Sequence, residues 1–177
     1  MTLKNIKSVQ KTLGLLLTVF SSTMLTPVVV ALIYQESTSL VFVASFLITG
    51  LFGLVLWLPA KKADTEIRLH EGFIIVASFW VVLALFGALP FLFLPELGLS
   101  LTNAIFESTS GLTTTGATIL TGLDELPRSL LFYRQQLQWL GGLGIVVLAV
   151  ALLPILGVGG MRLYRAESSS AIKESKF

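Results

Sequence analysis

The chain has 177 residues, 54% of them hydrophobic and 12% charged, with a mean hydropathy of +0.87 and a net charge of +2. Globular domains run nearer a quarter charged, so this is the composition of a membrane protein. The basic excess does not read as nucleic-acid binding, because the Lys and Arg residues sit in short links and ends around apolar runs. The lack of cysteine excludes a disulfide scaffold, a thiolate metal site and a cysteine nucleophile, and the single histidine, His70, excludes a His-paired metal cluster within this chain.

Four apolar runs reach the ~20 residues of helix that a bilayer crossing needs. They are Leu13–Tyr34, Leu40–Leu58, Gly72–Phe93 and Leu130–Leu156. Lys4, Lys7 and Lys11 precede the first, as they would in a secretory signal. Its apolar length is too great for one and no small-residue cleavage site follows, so it reads as a retained helix. Pro27, Pro90 and Pro154 fall in or near the ends of runs and read as kinks, which membrane helices tolerate when neighbours satisfy the freed backbone.

Basic residues set the orientation. The amino-terminal segment has its three lysines, the second link has Lys61, Lys62 and Arg68, and the tail has Arg162, Arg165, Lys173 and Lys176. The first link, "QESTS", has none. With both termini cytoplasmic, every basic link lies inside. Trp57, Tyr34, Tyr133 and Tyr164 then suit the interfacial belts.

The segment 94–129 begins and ends outside and is too long for a simple connection. From Ser108 to Leu123 it carries no charge, only hydroxyls, glycines and apolar residues. The spacing of Leu101, Ala104, Ile105 and Leu112 is roughly helical and predicts a short helix over Leu101–Ser110, capped by Ser100. At ~1.5 Å per residue it covers ~15 Å, about half of a ~30 Å hydrocarbon core. The next stretch, Gly111–Thr118, is expected to be extended and to climb back at ~3.3 Å per residue. A re-entrant hairpin results; the plainer alternative is a Ser/Thr-rich exterior loop packed on the bundle.

Extended backbone at membrane depth leaves carbonyls without partners, and a dehydrated cation such as K⁺ satisfies them. Gly116, directly after three threonines, supplies the positive φ that turns successive carbonyls to one side. The half-helix aims its negative end at such a cation. Glu96, Asp124 and Glu125 stand near the outer mouth and would concentrate cations.

Glu107 is an ionisable group at membrane depth and so a functional candidate. Two readings are open: an anchor for the hairpin through hydroxyls or backbone N–H groups, or an interfacial carboxylate paired with Arg128 or Arg134. Arg134 with Gln135, Gln136 and Gln138 reads as interfacial snorkelling and packing against the hairpin, with a polar vestibule lining as the alternative. Gly141, Gly142 and Gly144 are expected to let helices approach closely; Gly157, Gly159 and Gly160 end a helix or form a hinge. "GVGGMR" lacks the preceding strand a nucleotide loop needs. No nucleophile–base pattern points to an enzyme, and His70 and the basic links read as solvated topology signals.

The order of span, half-helix, "TSGLTTTGAT" and span resembles one repeat of the Trk/Ktr/HKT superfamily of potassium transporters, closest to the bacterial Trk-type membrane subunit. Residues 132–167, "FYRQQLQWLGGLGIVVLAVALLPILGVGGMRLYRAE", and residues 66–91, "EIRLHEGFIIVASFWVVLALFGALPF", carry the likeness on either side. The resemblance implies an all-α polytopic membrane protein with four transmembrane helices and one re-entrant half-helix with an extended filter loop. It divides the chain into an amino-terminal helix pair (1–59), a cytoplasmic link (60–71), a first pore repeat (72–156, half-helix 101–110, filter 111–118) and a cytoplasmic tail (157–177).

It further implies that Thr113, Thr114, Thr115, Gly116 and Ala117 form one filter strand for K⁺, their carbonyls facing the ion and a threonine hydroxyl at the inner end. Glu107, Ser110 and Gly111 support it. Four such repeats surround one pathway, so this chain reads as an amino-terminal fragment, completed by the remaining repeats of a longer chain or by further copies. The implied function is potassium uptake across the bacterial inner membrane, with no cofactor beyond the transported ion and with a cytoplasmic nucleotide-binding ring subunit as regulatory partner. A non-conducting membrane scaffold is the alternative.

Overall fold

The computed structural model describes residues 3–62 and 69–152. Seven α-helices occur among them: α1 (Leu3–Thr23), α2 (Leu25–Ile33), α3 (Ser39–Ala60), α4 (Leu69–Gly87), α5 (Leu89–Phe93), α6 (Leu101–Leu112) and α7 (Arg128–Leu152). The stretches Ile6–Ile33, Ser39–Ala60 and Gly72–Phe93 are long and apolar enough to cross a membrane. α7 covers the fourth expected run as far as Leu152; Pro154, Tyr164, the later glycines, the basic tail and Arg68 lie outside the described residues. Large apolar side chains such as Leu40, Ile33 and Val147 stand 66–77% exposed, which suits helices whose solvent is lipid.

Two expected spans are bent helices rather than single rods. α1 stops at Thr23 and α2 resumes after Met24; α4 stops at Gly87 and α5 resumes after Ala88. In each case the proline lies just beyond the break, in the first turn of the second piece. Pro27 has no N–H to give the Thr23 carbonyl. The Gln136 amide of α7 donates to that carbonyl instead at 2.8 Å, with Thr26 Oγ1 donating at 2.7 Å. At the second break the Tyr133 hydroxyl of α7 donates to the Gly87 carbonyl at 2.9 Å. One helix thus donates to a backbone carbonyl at each bend.

α1 and α3 pack through small residues. A Cβ on Gly14 would stand 2.6 Å from the Trp57 nitrogen, and one on Gly53 would stand 2.8 Å from the Thr18 nitrogen. Backbones approach this closely only where side chains are missing. The core gathers Leu17, Phe20 and Met24 of the first bent helix, Phe42 of α3, Phe91 of α5, Leu112 of α6 and Tyr133 and Leu137 of α7. Tyr133 lies between Phe42 and Phe91, each ring centroid 5.5 Å away. α6 and the loop that follows it are therefore held against α4, α5 and α7.

Candidate functional site

α6 begins as its sequence suggests: Ser100 Oγ accepts from the Asn103 N–H at 3.3 Å. It runs to Leu112, two residues past the expected end at Ser110, so the first two residues of the expected extended strand are helical. Packing explains the extension. Gly111 sits against Leu137, where a Cβ would meet the leucine Cβ at 3.0 Å, and the Leu112 carbonyl lies directly against Gly141 of α7. Of the three glycines at the start of the fourth run, Gly141 alone is forced by contact. At ~1.5 Å per residue this contact lies ~20 Å along α7 from Arg128, so α6 ends deep within the bundle.

After Leu112 the chain reverses. The N–H groups turn back on the end of α6: Thr113 to the Thr109 carbonyl at 2.9 Å, Thr114 to Gly111 at 2.9 Å, and Thr115 and Gly116 to Ser110 at 3.0 and 3.4 Å. Thr114 has φ +57° and Gly116 φ +74°, while Thr115 between them does not have positive φ. A β-branched residue in that region is strained by about 1–3 kcal/mol. The carbonyls behave oppositely to the N–H groups. Among the described residues none of the Thr113, Thr114, Thr115 or Gly116 carbonyls accepts a hydrogen bond, and residues 113–119 are exposed. The Thr113 and Thr115 hydroxyls lie 2.8 Å apart. The strand therefore shows a run of oxygen acceptors to its open side and keeps its donors for α6.

The back of the strand is fastened by side chains. Ser110 Oγ donates to the Ala117 carbonyl at 2.6 Å. A carbonyl has two lone pairs, so this ties Ala117 to α6 and leaves one acceptor position. Glu107 is buried, 2% exposed, and its Oε1 accepts from Thr118 Oγ1 and from the Ile119 N–H, both at 2.7 Å. Its Oε2 faces Arg134 Nε at 3.2 Å. The two readings of Glu107 are thus both realised at once: it anchors the hairpin through a hydroxyl and a backbone N–H, and it pairs with Arg134. Of the reading of Arg134 as a snorkelling side chain that packs against the hairpin, the packing holds and the snorkelling is corrected. Arg134 is 9% exposed and turned inward to Glu107, because a buried carboxylate requires a partner. Gln136 is likewise spent on the α1–α2 bend.

A second anchoring carboxylate carries almost no local signature in the sequence. Glu36, between α2 and α3, reaches the start of α7. Its Oε1 accepts from the Arg128 N–H at 2.6 Å; its Oε2 accepts from the Ser129 N–H at 3.1 Å and from Ser129 Oγ at 2.5 Å. The Thr38 and Ser129 hydroxyls meet at 2.7 Å, and the Arg128 guanidinium lies 5.9 Å from the centre of the Tyr34 ring. One signal was available. α7 follows Pro127, which has no side chain able to cap a helix, so the first N–H groups of α7 require an acceptor from elsewhere. Of Glu96, Asp124 and Glu125, the first lies in a 3₁₀ turn at Pro95–Leu97 and the other two in one at Leu123–Glu125.

The family described as TrkH, cation transport protein, matches residues 38–176. The chain belongs to the TrkH family. That family comprises transport proteins, not enzymes. The Trk system potassium uptake protein TrkH of Escherichia coli K12 is 53% identical over 170 residues, 96% of this chain and 35% of that protein. TrkG of the same strain is 42% identical over 176 residues, covering 99% and 36%. The crystal structure of the potassium transporter TrkH from Vibrio parahaemolyticus superposes with a TM-score of 0.82 at 48% identity, over 96% of this chain and 36% of that one. The chain thus spans about a third of the length of the relatives it matches. All-helical, multi-pass membrane architecture fits this TrkH likeness.

Proposed function

We propose that this chain supplies one of the four filter strands of a potassium uptake pathway across the bacterial inner membrane. The observation that carries the reading is the split of the backbone at 113–116: N–H groups turned into α6, carbonyls free on the exposed side. Carbonyls and threonine hydroxyls so arranged replace the hydration shell of K⁺. Thr113, Thr114, Thr115, Gly116 and Ala117 form the strand, with Thr113 at its inner end. Glu107, Ser110 and Gly111 hold it from behind. α6 adds the negative end of its dipole at Leu112.

A single strand surrounds an ion on one side only, so the pathway is completed by further repeats, in a longer chain or in further copies. On this reading the amino-terminal helix pair is 1–59, the link 60–71 and the tail 157–177 are cytoplasmic, and the pore repeat is 72–156. A cytoplasmic nucleotide-binding ring subunit is the regulatory partner on this reading. The reading draws support from the TrkH family match and from the names of the potassium uptake proteins the chain resembles.

The test is Gly116→Ser with K⁺ and Na⁺ uptake measured in potassium-uptake-deficient cells. At φ +74° any side chain costs about 1–2 kcal/mol, and the carbonyl direction shifts with it. The expected result is loss of K⁺ preference at normal membrane abundance. Unchanged K⁺/Na⁺ discrimination would remove the filter assignment.

A further inference from the structure

We infer that Glu36 is a positioning residue for the ion pathway: through its carboxylate the amino-terminal helix pair holds the start of α7 and, with it, the return limb of the hairpin. The inference rests on the filter reading above and goes beyond it, since it gives the α2–α3 link a task in shaping a strand that lies some eighty residues later in the chain.

The limb leaves Glu107 at Ile119 and enters α7 at Arg128. Between those points every described backbone hydrogen bond is local: Glu125 to Gly122 at 2.9 Å and Leu126 to Leu123 at 3.2 Å. The Leu120 N–H donates to Thr118 Oγ1 at 3.0 Å, two residues back. The limb is therefore tied by hydrogen bonds to the rest of the molecule at its two ends, by Glu107 at one and by Glu36 at the other. The Glu36 end is built for the purpose. Both carboxylate oxygens are engaged, and they take up two of the N–H groups that a helix start leaves open. A negative charge there is also favoured by the helix dipole. Pro127 has no side-chain acceptor, so the cap cannot come from the limb itself.

The link is shaped to deliver that carboxylate. Gln35 adopts φ +55°, which ends α2 abruptly, and the Glu36 N–H returns to the Ala31 carbonyl at 2.8 Å. Thr38, 2% exposed, adds its hydroxyl to Ser129. Arg128 over Tyr34 flanks the cluster on its exposed side.

The experiment compares wild type with Glu36→Gln and Glu36→Asp in the whole transporter, in membranes. Glutamine keeps the shape but presents an amide donor to Ser129, whose N–H and hydroxyl both need an acceptor; aspartate keeps the charge on a shorter arm. Two readouts are taken: amide exchange over 126–131, and the ratio of K⁺ to Na⁺ uptake normalised to protein in the membrane. Charge-assisted bonds of this kind carry roughly a tenfold effect, so exchange at Arg128 and Ser129 should quicken by about tenfold in Glu36→Gln. The uptake ratio should fall by roughly fivefold, the lower end of ordinary coupling between sites. Partial recovery in Glu36→Asp is expected in both. Faster exchange with an unchanged uptake ratio would overturn the positioning role while leaving the filter reading intact. Absence of K⁺ uptake in the wild type would instead overturn the filter reading. Unchanged exchange in Glu36→Gln would overturn the clamp itself.

Discussion

The two ends of the hairpin's return limb are held by carboxylates in opposite surroundings. Glu107 is enclosed, with Arg134 on one oxygen and the Thr118 hydroxyl and Ile119 N–H on the other. Glu36 is only half-buried and takes neutral donors, two N–H groups of α7 and the Ser129 hydroxyl. Far from water, a charge needs an opposite charge and good hydrogen bonds together. At the edge, a helix start and a few donors suffice. The deep anchor therefore fixes the shape of the strand, and the shallow one fixes where the limb enters α7.

The deep end should break hardest. Arg134→Ala leaves the Glu107 charge enclosed without its cation, a loss of about 3–5 kcal/mol. Thermal unfolding of the purified protein in detergent measures it. The double variant Glu107→Gln with Arg134→Ala should recover much of that loss, since no buried charge is left unpaired. If the double variant is as unstable as the sum of the singles, the pair is not the unit described here.

Gly141→Ala comes next. Its Cβ would run into the Leu112 carbonyl, so α6 must back away from α7, at about 3 kcal/mol against the ~1 kcal/mol that alanine returns to a helix. Gly142→Ala is the control: its Cβ would meet only Thr114 Cγ2 at 3.8 Å. Equal melting shifts for the two variants would refute the close approach. Ser110→Ala is smaller, about 1 kcal/mol, and frees the Ala117 carbonyl. Its sharper readout is a lowered K⁺ preference with little change in melting.

The same contrast separates what sequence could reveal from what it could not. The Ser100 cap, the short helix after it and the uncharged Thr/Gly reversal are local features, each carried by neighbouring residues, and they were legible. So was Gly116 as a residue needing positive φ. The end of α6 was not, because Gly111 and Leu112 stay helical through contacts with Leu137 and Gly141, well over twenty residues away. The prolines point to bends, yet the helices part a few residues earlier, where α7 supplies Gln136 to the Thr23 carbonyl and Tyr133 to the Gly87 carbonyl. Arg134 looked interfacial because polar residues surround it in sequence; its inward turn depends on Glu107. Glu36 was the least visible of all. Its partners lie over ninety residues on, and only the uncapped helix start after Pro127 hinted that an acceptor was missing.

The smallest effect expected is also the most specific to the shallow end. Burial on its own would raise the Glu36 carboxyl, but the hydrogen bonds from Ser129 Oγ, the Ser129 and Arg128 N–H groups and Thr38 outweigh it and hold the group below its ordinary 4.5. A carboxyl whose folded value is lowered adds stability that is fully present above the unfolded value and is lost as pH falls through the folded one. The clamp should therefore be intact at neutral pH and weaken only below 4.5. The other ionisable side chains at the cluster are Arg128 and Tyr34. Amide exchange at Arg128 and Ser129, followed from neutral pH down to about pH 3 after correction for the intrinsic rate, should show protection falling in wild type. Glu36→Gln should show a low and flat protection across the same range. Ile119, held by Glu107, serves as the internal comparison: a loss at Arg128 and Ser129 that leaves Ile119 protected assigns the change to the shallow anchor, whereas parallel loss at all three would mean that acid loosens the bundle as a whole and that Glu36 has no separate part in it.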